Sequence, residues 1–94
     1  MADKCLIKLP EKFDFGFHKQ FMAAYEPYLE DRAVKEVEVD FSRVQYLDSS
    51  ALGMLVLLAK KFDRPGVSMT IIGSTGAARD IITMANLSRI YDIR

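Results

Sequence analysis

The stretch from Phe41 to Phe62 constrains the fold most. Before it, Val37-Glu38-Val39-Asp40 is the end of a strand rich in β-branched residues. A short polar turn follows, and from Ser49 the chain continues as an apolar helix. A strand that feeds a helix after so few residues is half of a β-α-β unit, whose strands run parallel. Asp48, Ser49 and Ser50 stand where that helix begins.

The remaining segments agree with this reading. Cys5 to Leu9 forms a first strand, ended by Pro10. Asp14 is placed to cap a helix, and Phe17, Phe21, Ala24, Tyr25 and Tyr28 recur on one face of it as a packing stripe. Pro27 limits that helix, because the residue before a proline is pushed out of helical geometry. Ala33 to Asp40 is the second strand, carried by Val34, Val37 and Val39, and Val44 to Leu47 returns briefly to the core. Asp63-Arg64-Pro65-Gly66 is a turn and Val67 to Gly73 a third strand. Ser74 or Thr75 caps the next helix, Gly76 to about Ala85, with Ala77, Ile81, Met84 and Ala85 as its apolar side. Leu87, Ile90, Tyr91 and Ile93 supply a last edge strand. Strands alternate with helices, so the class is α/β. One domain over residues 1–94 is expected, with a mostly parallel sheet of about four strands, helices packed against it and right-handed crossovers.

Composition narrows the function. Lys plus Arg number 13 and Asp plus Glu 13, giving a formal net charge of +0. A nucleic-acid binder needs a basic excess to neutralise phosphates, so that class is set aside. A near-neutral surface gives little colloidal protection and leaves room for a protein partner or a weak homodimer. Cys5 is the single cysteine and reads as a small buried hydrophobe in a reducing compartment. The longest apolar run, Ala51 to Ala59, is far too short to cross a membrane, and the first residues lead into a strand pattern. A cytoplasmic location without membrane insertion is expected.

Stepping the helix at about 100° per residue places Ala51, Leu52, Leu55, Leu58, Ala59 and Phe62 against the sheet. Lys60 and Lys61 mark the solvent side. Ser49, Ser50, Gly53, Met54 and Leu57 share it, so two hydroxyls, a glycine and two apolar side chains form an exposed strip. Such a strip is a candidate docking surface, although scattered exposed apolar residues are also ordinary. The serines carry two readings as well. Asp-Ser-Ser before a helix is normal capping chemistry. The same free N–H groups and positive dipole end would stabilise a phosphate. The phosphate's charge, about −1.5 to −2, would transform an apolar strip, and Asp48 would repel it.

Catalytic signatures are absent. His18, on the first helix and expected in solvent, is the one side chain suited to general base work near neutral pH without a shifted pKa. No HxxxH, CxxC, Walker loop or nucleophile elbow is present. Gly73-Ser74-Thr75-Gly76 is a strand-to-helix turn of a kind that takes anions, but it is too short and generic for a phosphate loop. No enzyme activity, cofactor or metal is expected.

Val37 to Ser42, then Val44, then Leu47-Asp48-Ser49-Ser50-Ala51-Leu52-Gly53 resembles the signature of the STAS family, which includes anti-sigma factor antagonists and the cytoplasmic tails of sulfate transporters. The usual motif is a strand ending in Asp-x-Ser, a spacer, then Asp-Ser-Ser-Gly-Leu-Gly. Ile81 to Tyr91 resembles the family's closing helix and turn. The resemblance implies a bacterial partner switch. Unphosphorylated protein binds an anti-sigma factor/serine kinase of ATPase fold, phosphorylation at Ser49 (Ser50 second) releases it, and a PP2C-type phosphatase resets it. The docking residues so implied are Asp48, Ser49, Ser50, Gly53, Met54, Leu57 and Lys60. The alternative implied is a non-switching STAS subunit of a lipid or anion transport complex. Ala51 stands where the motif has glycine, which would bring a methyl group near the partner. The family's opening β-hairpin is reduced here to Cys5–Leu9.

Overall fold

Four parallel pairings organise the chain into a four-stranded and a two-stranded sheet, seen in a computed structural model that describes residues 3–94. The elements run β1 (Lys4–Lys8), β2 (Lys12–Phe13), α1 (His18–Tyr25), β3 (Glu36–Asp40), β4 (Tyr46–Leu47), α2 (Ser49–Lys61), β5 (Ser68–Ile72), α3 (Gly76–Met84) and β6 (Asp92–Ile93). The main sheet has the order β1-β3-β5-β6, all parallel. The expected α/β class and four-strand parallel sheet are both present.

That order steps the same way at every crossover. Right-handed connections then lay α1, α2 and α3 on one face of the sheet. The burial agrees: Cys5 and Ile7 of β1, Val37 and Val39 of β3 and Ile71 of β5 are sealed in the core. The other face shows Lys4, Leu6 and Lys8 beside Glu36, Glu38 and Asp40, and Lys4 Nζ meets Glu38 Oε1 at 2.9 Å. Thr70, short and flanked in register by Glu38 and Asp92, is the buried side chain of that face.

Beneath the packed face a chain of aromatic rings joins the helices. Phe13 lies 5.4 Å from Phe21, Phe21 5.6 Å from Tyr25, and Tyr25 6.4 Å from Phe62, which ends α2. Burying a side chain of this size stabilises a fold by about 1.5–3 kcal/mol relative to leaving it in water. Phe21 and Tyr25 are the buried centre of the expected α1 stripe, with Phe17, Ala24 and Tyr28 on its margin. Asp14 caps the single turn Phe15–Phe17 ahead of α1, accepting from the Gly16 amide at 2.9 Å.

In place of the family's opening hairpin, β2 pairs in parallel with β4, Lys12 opposite Tyr46 and Phe13 opposite Leu47. Two expectations are corrected. His18 is not free in solvent but half-buried, stacked on the Phe15 ring at 5.0 Å. On α3, Ala78 and Ile82 face the core, Ile81 lies at the margin, and Ala77, Met84 and Ala85 are exposed, Met84 by 82%. Ile81 and Ile82 are adjacent, so sequence alone lets either lead the stripe. Leu87 and Tyr91 settle the rotation by docking in the core after a left-handed turn at Asn86 (φ 59°).

Candidate functional site

Two helix starts lie side by side at one end of the domain. Asp14 and Asp48 each sit one residue beyond the paired Phe13 and Leu47, both with extended backbones, and each caps the helical turn that follows. At α2 the Asp48 carboxylate accepts from the Ala51 amide at 2.9 Å. Losing such a cap costs about 1 kcal/mol. The Ser49 and Ser50 amides, at the first two helical positions, have no acceptor within the helix. Both side chains are exposed, at the positively polarised helix end.

From there Ser49, Ser50, Gly53, Leu57 and Lys60 are all exposed along α2, as expected. Met54 is not: it is 7% exposed and belongs to the core, whereas Leu57 is 44% exposed. The buried positions are Ala51, Met54, Leu55, Leu58, Ala59 and Phe62, spaced i, i+3, i+4, i+7, i+8, i+11. Met54 belongs to that series by its spacing and lies on its edge next to Lys61. Nearness to the lysine was the misleading signal. Ala51 is also fully buried, so its methyl faces the sheet side and not a docking partner.

Gly53 has a different character. A Cβ built on it meets nothing within 4 Å. The fold has no need for glycine there, yet glycine in an exposed helix interior costs about 1 kcal/mol against alanine. Gly73 shows the contrast. Its φ is 73°, and a Cβ there would press on Ser42 at 3.1 Å, so the turn itself demands the residue.

The structure adds residues that sequence reading missed. Tyr46, 51% exposed, precedes Ser49 by three positions, and Lys12 lies over its ring with Nζ 5.9 Å from the centroid. Phe15, 64% exposed, starts the turn beside the second cap. Strand alternation would put Phe13 and Phe15 on one face; the helical turn that starts at Phe15 sends its ring outward instead. Among the described residues, no three His, Cys, Asp or Glu side chains group as metal ligands. No helix among the described residues is long and apolar enough to cross a membrane.

The family model for the Mlab STAS domain matches residues 2–92. The chain belongs to the STAS family. A STAS-domain containing protein of Pseudomonas aeruginosa (strain UCBPP-PA14) is 32% identical over 87 residues, covering 93% of this STAS chain and 84% of the relative. Among solved structures, the anti-sigma factor antagonist SpoIIAA in its unphosphorylated form superposes with a TM-score of 0.81 at 16% identity, over 100% of this chain and 82% of that one. The phosphorylated form of the Bacillus cell fate determinant SpoIIAA gives 0.73 at 16%, over 100% and 85%. A sulfate transporter family protein from Wolinella succinogenes gives 0.77 at 11%, over 99% and 80%. At these identities the structural likenesses establish a shared STAS fold.

Proposed function

We propose that this STAS domain is a phosphorylation-controlled binding module in a bacterial, cytoplasmic partner switch, and not an enzyme. The unphosphorylated domain binds an anti-sigma factor/serine kinase of ATPase fold through Ser49, Ser50, Gly53, Leu57, Lys60 and the flanking Tyr46 and Phe15. Phosphorylation of Ser49 releases it, and a PP2C-type phosphatase returns it to the binding form. The observation that carries this reading is the exposed Ser49 hydroxyl on the first turn of α2, on the same side as a glycine that the fold does not require.

The physics of the switch is local. A phosphate on Ser49 lies at the open helix end, where the free amides and dipole favour negative charge, so α2 persists. Its charge of about −1.5 to −2 falls beside Tyr46 and Gly53 and next to the Asp48 carboxylate. A partner that packs there must desolvate the phosphate or move away.

Affinity capture with wild type and Ser49→Asp side by side tests this. The expected partner has an ATPase fold, is lost from the Asp sample, and with ATP places a single phosphate on Ser49 by phosphopeptide mapping. Modification elsewhere by that kinase overturns the reading. The Mlab match and the likeness to a sulfate transporter family protein favour a second reading, a permanent docking subunit of a lipid or anion transport complex. In that case Ser49→Ala leaves function intact while Leu57→Asp abolishes assembly.

A further inference from the structure

The exposed strip of α2 does not end at the serines' end of the helix. At its other end, about 17 Å away at roughly 1.5 Å per residue, α2 borders an open groove of ≈ 810 Å³. The groove lies between the last turns of α2, the start of β5 and the turn Leu87–Arg89. Val56, Met69 and Ile90 give it apolar surface, Val56 and Met69 half-buried and Ile90 exposed.

Its charge leans positive. Lys60, Arg64 and Arg89 line it. Arg64 is fixed in place, donating to the Leu29 carbonyl at 2.7 Å and the Asp31 carbonyl at 2.8 Å. Carbonyls anchor that guanidinium without cancelling its charge. Among the described residues no carboxylate comes within 4.0 Å of Lys60 or Arg89. Two acids also line the groove, but Asp92 is already held by Arg94 Nε at 2.9 Å, which leaves Asp63 alone against three cations.

We propose that this groove receives an acidic, apolar segment of the same protein partner that grips the serine end of α2. Two observations select that occupant. The uncompensated cations call for carboxylates, and Lys60, which lines the groove one turn beyond Leu57, makes it continuous with the docking strip. The inference rests on the partner reading above and adds an anchor remote from the switch. Phosphate on Ser49 weakens one end of the contact, and the groove supplies salt-sensitive affinity at the other.

The kinase identified by capture and Ser49 phosphorylation is titrated calorimetrically, at low and high salt, against wild type, Lys60→Glu, Arg89→Glu and the double variant. The expected result is about a tenfold loss of affinity per reversal, larger in the double variant. Most of the salt dependence is lost with it, and saturating kinase still phosphorylates Ser49 in Arg89→Glu, whose site lies outside the serine-end strip. Both side chains are exposed, and circular dichroism verifies the fold. Unchanged affinity in the double variant overturns the groove and leaves the switch standing. A wild-type domain that no such kinase binds or phosphorylates overturns both. Unchanged kinase affinity with loss of sedimentation on phosphatidylglycerol vesicles assigns the groove to an anionic membrane surface and overturns the proposal.

Discussion

The Tyr91 hydroxyl donates a 2.6 Å hydrogen bond to the Leu55 carbonyl, joining the C-terminal segment to the middle of α2. Both residues are buried, and the bond spans 36 positions of sequence. It holds the inner side of α2 while the outer side stays free. Tyr91→Phe keeps the ring and removes the donor, which should cost about 1 kcal/mol. A fall in the urea midpoint with unchanged binding of the kinase is the expected result.

Burial of Cys5 pushes its thiol from 9.0 up to about 11, and burial of Tyr91 raises its phenol well above the ordinary value. In both cases the folded state keeps a proton that the unfolded chain releases. Stability from these groups is therefore complete below pH 9 and declines as pH rises through about 11. Melting temperatures from pH 7 to 11 should be flat and then fall. Cys5→Ala should remove the earlier part of the decline, and Tyr91→Phe the later part.

Met54 and Leu57 differ by three positions and face opposite environments. Met54→Ala opens a cavity against the sheet and should destabilise by about 2–4 kcal/mol. Leu57→Asp should leave the urea midpoint within about 0.5 kcal/mol of wild type while abolishing partner capture. Equal loss of stability in both variants would show that the outer face of α2 is packed as well.

Gly53→Ala separates folding from binding. A methyl there meets nothing in this chain, so the variant should gain up to about 1 kcal/mol in chemical denaturation. The same methyl should weaken the kinase complex, because a partner that comes close at Gly53 has no room for it. A more stable domain with undiminished affinity would remove the docking role from this residue.

The architecture was legible because hydrophobic periodicity and turn chemistry agree along most of the chain. Cys5–Leu9, Val37–Val39, Pro65-Gly66 and Asp48 each point to one local structure, and all four are found in it. The failures share a cause. Met54, and Ile81 against Ile82, lie where two apolar arcs are nearly equivalent, and only tertiary packing chooses the rotation. The β2–β4 pair spans two residues a side, too short for any alternating pattern, so the aromatics it positions could not be placed from sequence. At the site, the exposed serines and Gly53 followed from helix geometry, while Tyr46 and Phe15 needed the pairing itself.

A sheet with all its helices on one side has an uneven relation to mutation. Along β1 and β3 every second side chain escapes the jigsaw of the interior and answers mainly to solubility and charge balance. Such positions can drift for long periods without disturbing the backbone. A scaffold of this kind can therefore keep its shape, with a TM-score of 0.81, while keeping only 16% of its residues in common with a distant cousin.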